Sequence, residues 1–466
     1  MRLNHCSVVV VLIASLAACG GQVSGDPTGQ GAVSGAGDST ATPATPGGTI
    51  ATPAVPTDTA PPAPTDTAPP VPVVDHGAPS STYPAFKPDI AQLIDNGGDV
   101  LKAPVIVTVT FDGDANAADY ESFGDGIGGS DYWKTIVSEY GVGPAISGET
   151  NHVRMTEKMA DSVADTDLDT WVADHATNLA TSKWPAPTDQ TIYVIYLPTT
   201  TSLSLNGSDA CTSGIGGYHT STTVGGKEVA YAILPQCDGG GGGGASLLDM
   251  TTVSSSHEIG EAATDPHPQT SRPGYYGVDN AHIAWEFFMR NNVENGDLCE
   301  VYRDQYLRPK EPTFGFAVQR QWSNKSALAG HNPCVPAPSS AYFNVVPLEP
   351  EDVTIDLSKY GSSKRFKTKG YHVAVGETKS FSVGFYSDAA TKGPWTIHAT
   401  QNTAFGSAKK PLPLDIQIDK ADGVNGEKAI ITVKVLAAGA SKSELLTIVS
   451  VLGTQRYYMP LMISSD

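Results

Sequence analysis

Basic residues are scarce in this chain: 29 Lys and Arg stand against 49 Asp and Glu, a formal charge of −20 over 466 residues. A surface so biased repels phosphate backbones, which argues against nucleic acid and anionic membrane surfaces as partners. Charge of either sign is thin, at 17% of residues. The leading apolar run, Val8 to Leu16, falls well short of the roughly 20 residues a spanning helix needs. The cysteines form no C-x-x-C pair, which argues against disulfide exchange. No Gly-x-Ser-x-Gly elbow surrounds Ser254-Ser255-Ser256, which argues against serine hydrolysis. The glycines from Gly239 to Gly244, after Asp238, lack the Lys-Ser/Thr ending of a phosphate loop and read as a floppy insertion.

What is present begins with an export signal. Arg2 and His5 precede the apolar run, and Leu16-Ala17-Ala18-Cys19-Gly20 resembles a bacterial lipobox, in which the cysteine is lipidated after cleavage. Residues 1–18 are thus expected to be a lipoprotein signal peptide, with Cys19 as the anchor and Gly20 favouring an outer-membrane destination. Residues 19–84 read as a disordered tether. They repeat Pro56-Thr57-Asp58-Thr59-Ala60-Pro61-Pro62 as Pro64 to Pro70 and hold too few large apolar residues to offset their ordering entropy. Four cysteines remain beyond the signal, Cys211, Cys237, Cys299 and Cys334, and an exported chain favours two disulfides. Cys211 with Cys237 and Cys299 with Cys334 is the preferred pairing, because each closes a local loop.

The chain's centre is the stretch from Leu247 to Pro268, built around His257-Glu258-Ile259-Gly260-Glu261. On a helix His257 and Glu261 are four residues apart and share a face, so an imidazole and a carboxylate can grip one divalent metal. Glu258 occupies the position that serves as general base in His-Glu-x-x-His helices. A carboxylate in place of the second His makes the site harder and more negative, which weakens its preference for zinc; zinc remains the expected metal and calcium the alternative. The helix should stop at Asp265, which precedes Pro266. His267 falls where the longer His-Glu-x-x-His-x-x-Gly-x-x-His pattern places a third ligand, but Thr264 replaces its glycine, so His267 is given little weight.

Buried strands are expected over 105–111, 191–197 and 229–234, where β-branched residues run uninterrupted. Amphipathic helices are expected over 131–140 and 167–181, the latter with Leu168, Trp171, Val172, His175 and Leu179 on one stripe. Residues 272–277 read as a loop, 283–289 as strand or helix, 294–299 as a tight turn and 316–322 as a strand. Strands alternating with helices predict an α/β domain, a mixed sheet backed by the motif helix, over residues 85–348. From 349 to 466 short β-rich runs recur between turn residues, at 380–386, 395–399, 414–418, 429–435, 445–452 and 456–463. That spacing predicts an all-β, antiparallel, immunoglobulin-like sandwich, read as a spacer or adhesion module.

Several motifs in order carry a family resemblance: Gly217-Tyr218-His219, Tyr231 to Cys237, Val253 to Pro266, Glu294-Asn295-Gly296-Asp297-Leu298-Cys299, and Phe316 to Trp322 followed by Cys334. Over residues 100 to 336 the chain resembles the phosphate-induced, or EXORDIUM-like, proteins and their bacterial relatives. Plant members are secreted and wall-associated, and bacterial members look like zincin-type hydrolases by their helix. The resemblance implies a zincin-like α/β domain and adds weight to Glu294 and Asp297. It lowers His267, since plant members carry an apolar residue near that position and Asn at that of Asp265. This chain departs from the family in its glycine run and in Asn295, where Ile is usual.

The expected metal set is therefore His257 and Glu261, with Asp297 or Glu294 third, Asp265 and His219 in reserve, and Glu258 as base. Asp297 could instead bond its own turn, Asp265 could cap the helix end, and His219 reads first as a hydrogen-bonded loop histidine. Two functions follow: an exported metal-dependent hydrolase, foremost a peptidase acting on a peptide or wall-associated substrate, or a non-catalytic surface binding protein with a structural metal. In both, the membrane is met only through the lipid anchor.

Overall fold

The centre of the first region is strand β1 (Val105–Phe111), buried from its second residue onward. Its β-branched side chains alternate between two apolar layers, as only a strand covered on both faces allows. The structure, a computed structural model, describes residues 74–237, 245–290, 293–302, 310–312, 314–356, 365–402 and 411–466. The expected signal peptide, Cys19, most of the expected tether and the run from Asp238 to Gly244 lie outside the described residues.

Strands β2 (His152–Met155) and β3 (Thr191–Tyr196) flank β1 in parallel, and β5 (Lys227–Leu234) runs parallel beyond β3. Strand β4 (Tyr218–Val224) closes the edge antiparallel to β5, so the order is β2-β1-β3-β5-β4. This is a mixed, mainly parallel sheet. Ile106, Ile192, Val194 and Ala232 face a layer made by α1 (Ala117–Ile127), α2 (Asp131–Val137) and the motif helix α4 (Leu247–Thr264). Val107, Val109, Tyr193 and Ile233 face Leu168, Val172 and Ala176 of α3 (Asp165–Thr177) on the other side.

Local chemistry sets the ends of these elements. Ser130 caps α2 by accepting from the Trp133 amide, and Gly141, at φ 84°, ends the 3-10 turn that follows. The helix expected over 167–181 breaks at Asn178, whose amide and side chain both donate to the Asp174 carbonyl, leaving only a short turn of helix at Leu179–Ser182. Two other expectations need correction. Residues 272–277 are not simply a loop, because Tyr275–Val278 pairs with Leu93–Asp95. Of the strand expected over 316–322, Gln321–Trp322 forms a strand pair, with Cys334–Val335. Just before it, the Gln319 amide donates to Ser256 Oγ of α4 (2.9 Å). Residues 283–289 resolve to the helix α5 (Ala284–Phe288).

The second region is all-β. One sheet orders Phe343–Pro347, Thr378–Ser387, Lys428–Val435 and Leu414–Ile418, every pair antiparallel. The other orders Glu351–Asp356, Arg365–His372, Gln455–Ser464, Ser443–Leu452, Trp395–Asn402 and Asp422–Gly423. Its pairs are antiparallel except that Arg365–His372 runs parallel to Gln455–Ser464. The first of these strands begins at Phe343, ahead of residue 349. Residues 77–85 also belong here: Asn425 donates to the Ser80 and Thr82 carbonyls and accepts from the Ala85 amide.

Val345, Phe381 and Ile431 of one sheet share a core with Trp395, Ile448 and Tyr457 of the other. The same core continues without a break into Trp285, Leu298, Cys299 and Trp322 of the α/β region. His76–Asp466 accordingly forms one compact unit. Each fully buried aliphatic side chain in it contributes about 1.5–3 kcal/mol.

Candidate metal centre

Helix α4 is buried on nearly all sides from Thr251 to Thr264. Ser246 caps its start by accepting from the Asp249 amide (3.1 Å). Its end is at Thr264, and the Asp265 amide still reaches the Glu261 carbonyl (2.7 Å) before Pro266 turns the chain. Ile259, Ala262 and Ala263 face the sheet, while His257, Glu258 and Glu261 converge on a polar cluster.

Three further segments close on that cluster. Strand β4 brings His219, so this residue is a buried strand histidine rather than a loop one. The segment leading into α6 (Asp297–Glu300) brings Glu294, Asp297 and Glu300. Residues 319–321 pack along the helix and supply two glutamines.

Glu261 lies at the middle. Its Oε1 accepts from the Gly296 and Asp297 amides (3.1 Å each), which ties the acidic turn to the helix. Its Oε2 lies 3.0 Å from His257 Nε2 and 3.5 Å from His219 Nδ1. His257 Nε2 also faces Asp297 Oδ1 at 3.7 Å. His219 Nδ1 faces Glu258 Oε2 at 3.5 Å, and its Nε2 faces Glu294 Oε1 at 3.4 Å. Among the described residues three sets converge within 4.8 Å: His257 with Glu258 and Glu261, His219 with Glu261 and Glu294, and His257 with Asp297 and Glu300.

The donors fit a cation. Gln319 Nε2 donates to the Gly296 carbonyl (2.9 Å), leaving its Oε1 to accept from His257 Nδ1 (3.1 Å). The proton of a neutral His257 is therefore held on Nδ1, and the Nε2 lone pair points at carboxylates. A lone pair aimed at an anion is repulsive unless a positive centre stands between them. An outer nitrogen pinned by a hydrogen bond with the inner nitrogen turned to the cation is how metal-binding imidazoles are oriented.

Charge balance argues the same way. Glu258, Glu261, Glu294 and Asp297 are each less than a tenth exposed, and among the described residues their ion-pair partners are the two imidazoles. Two imidazolium charges cannot neutralise four buried carboxylates, and each uncompensated ion costs several kcal/mol. Without a metal, protons make up the difference. Burial works against charge on both rings, yet the surrounding glutamates raise His219 and His257 well above their ordinary range. Burial, only partly offset by His219, pushes Glu294 up to about 7, and burial together with the Glu261 charge pushes Asp297 well up. Glu261 goes the other way, because the two imidazoles overcome its burial and hold it low.

The remaining expected residues are placed as follows. Asp265 is fully buried but belongs to none of the convergent sets. Its Oδ1 accepts from the Gly274 amide (2.8 Å), and its carbonyl stands 3.2 Å from His219 Nε2. Burial raises its carboxyl. His267 is outside the cluster, with Nε2 facing Asp99 Oδ2 at 3.8 Å. Disulfides join Cys211 to Cys237 and Cys299 to Cys334, and the second anchors α6. They mark an oxidising, extracellular setting.

No protein-family model matches the chain, and no curated protein does. Among solved structures it is similar to domains 4 and 5 of the S-layer protein SbsC, at 16% identity and TM-score 0.15 over 28% of this chain and 81% of that one. It is also similar to domains 5–6 of that protein, at 19% identity and TM-score 0.15 over 26% of this chain and 46% of that one. A third likeness is to titin M4, at 10% identity and TM-score 0.14 over 21% of this chain and 86% of that one. At these scores the likeness carries no argument about fold or function.

Gln319, Gln321, Asn295 and Glu300 are absent from the set expected from sequence. Gln321 donates to the Ser256 carbonyl (2.7 Å) and accepts from Asn295 (2.8 Å), whose Oδ1 in turn accepts from Thr264 (3.3 Å). Gly260 makes room for Gln321: a Cβ there would stand 2.4 Å from its amide. Glu300 is half-exposed, with Oε1 3.7 Å from His257 Nδ1.

Proposed function

We propose that the chain is an exported, lipid-anchored, metal-dependent hydrolase, foremost a peptidase, built on a zincin-like domain with an immunoglobulin-like sandwich behind it. The observation that carries this is the contact of His257 Nδ1 with Gln319 Oε1, which leaves Nε2 turned toward Glu261 and Asp297. His257, Glu261 and Asp297 would hold the cation, zinc before calcium, given the imidazole. When bound, a divalent cation supplies Lewis acidity toward a scissile carbonyl and toward water. Glu258 then takes the proton from the attacking water and returns it to the leaving amine. Gly217 leaves space for that carboxylate, since a Cβ there would lie 3.0 Å from Glu258 Oε1. The lipobox-like Leu16 to Cys19 and the disulfides support an envelope location. The EXORDIUM-like motifs support kinship with that family, and a wall-associated peptide as substrate.

The test is elemental analysis of the purified chain, followed by peptide hydrolysis with and without Glu258→Gln. Stoichiometric zinc and a loss of about 10²–10⁴-fold in turnover are expected. Hydrolysis untouched in that variant would remove Glu258 as the base.

A second reading is a surface binding protein with a structural cation. The near-complete burial of His257, Glu258 and Glu261 favours it, as does the position of two surface clefts elsewhere, beside His282 and beside Tyr275. Metal present without any chelator-sensitive turnover would decide for this reading.

A further inference from the structure

The cluster has more cation-binding capacity than one ion uses. Each convergent set contains one imidazole, and two of the sets meet at Glu261. With His257, Asp297 and Glu261 engaged by one cation, His219 and Glu294 remain on the other flank.

His219 has its own need for a positive centre. A neutral ring carries one N–H, and both ring nitrogens face oxygens: Nδ1 the Glu258 and Glu261 carboxylates at 3.5 Å, Nε2 the Asp265 carbonyl at 3.2 Å and Glu294 at 3.4 Å. Whichever nitrogen keeps the hydrogen, the other turns a lone pair toward a carboxylate. His219, Glu261 and Glu294 each offer one ligand atom, and these atoms lie within 4.8 Å of one another. Independently, Glu294 is 8% exposed and its Oε1 makes no hydrogen bond, although a buried carboxylate oxygen ordinarily does. Glu261 is prepared for sharing, because Oε1 is saturated by two backbone amides and Oε2 alone faces both rings.

We propose that the chain binds two divalent cations that share Glu261, one with His257 and Asp297, the other with His219 and Glu294. The proposal rests on the metal-site reading above and extends it from one ion to two. A shared carboxylate oxygen would set the ions about 3.5–4 Å apart, the spacing of two-metal hydrolytic centres. The second ion accounts for Glu294, which the one-ion reading leaves buried and unneutralised.

The full exported chain, stripped with chelator and reloaded with zinc, should carry two zinc ions per chain by elemental analysis. His219→Ala and His257→Ala should each retain one, and Glu261→Ala should retain neither. Because these variants remove buried side chains, cadmium-loaded wild type supplies a second readout: two cadmium resonances by NMR. One zinc and one cadmium resonance in the wild type, with zinc lost in both histidine variants, would overturn the second site while leaving the first. No bound metal in the wild type would overturn both.

Discussion

Gln319 grips His257 by its outer nitrogen, with Oε1 3.1 Å from Nδ1, and the same amide donates to the Gly296 carbonyl at 2.9 Å. One side chain thus fixes the ring's tautomer and the acidic turn beside it. Gln319→Ala should keep the fold and weaken zinc binding about 10–100-fold, the usual consequence of losing an outer partner. Competition against a chelating dye measures it, and unchanged affinity would free Gln319 of this role.

Gly296 is needed for space rather than for conformation. Its φ of −75° suits any residue, but a Cβ there would stand 2.8 Å from both Glu261 Oε1 and His257 Nδ1. Gly296→Ala should push the turn off the helix, break the two amide bonds to Glu261 and lower metal stoichiometry. Far-UV circular dichroism should stay unchanged. Full metal content in the variant would show that the turn has slack.

The Cys299–Cys334 bridge ties α6 to the strand at Cys334–Val335, closing a separation of 35 residues. Replacing both cysteines with alanine should cost about 2–4 kcal/mol in denaturant unfolding. It should also weaken metal binding, because Asp297 loses its anchor. The Cys211–Cys237 pair includes no residue of α6, so its removal should spare Asp297. Equal metal loss in both double variants would contradict this division.

His282 gives the fold a pH dependence away from the metal cluster. Its Nδ1 pairs with Asp279 at 2.9 Å and its Nε2 faces Asp89 at 3.4 Å, with Lys369 on Asp89 from the β region. Burial opposes charge on this ring, but hydrogen bonds with Asp279 and Asp89 raise it above the usual 6.5. The bond with His282, outweighing burial and aided by Lys369, holds Asp89 down to about 2. The histidine's contribution is complete below its unfolded value and disappears as pH rises through its folded value. That of Asp89 is present above 3.8 and fades as pH falls toward 2. The stability gap between wild type and His282→Asn should therefore be widest between about pH 4 and 6.5 and narrow above it. Thermal melts across that range check this, and a gap constant with pH would refute it.

Much of the site was legible because backbone chemistry announced it. Ser246 and Pro266 bracket α4, and the i, i+4 pair His257 and Glu261 shares a face by helical geometry alone. The acidic turn was legible as the segment bringing Glu294 and Asp297. His219 was harder, because its strand reads as polar: Tyr218 to Val224 contains four threonines or serines and is bounded by Gly225-Gly226. That pair, with φ of 58° and 83°, is itself a hairpin signal. Recognising it would have placed His219 on an edge strand, facing a neighbour. Gln319 and Asn295 could not be read this way. An amide becomes an anchor only when its partner is a buried imidazole or another amide, and that pairing is made by tertiary contact.

Trp285, Leu298, Cys299 and Trp322 lie in the same core as Trp395 and Tyr457. The carboxyl-terminal sheets are therefore the floor on which the acidic turn stands, not a cargo carried behind it. A truncation at residue 342 would leave that floor open to water and the turn unsupported. Such a module cannot be exchanged between chains without taking the half that carries the His/Glu cluster along.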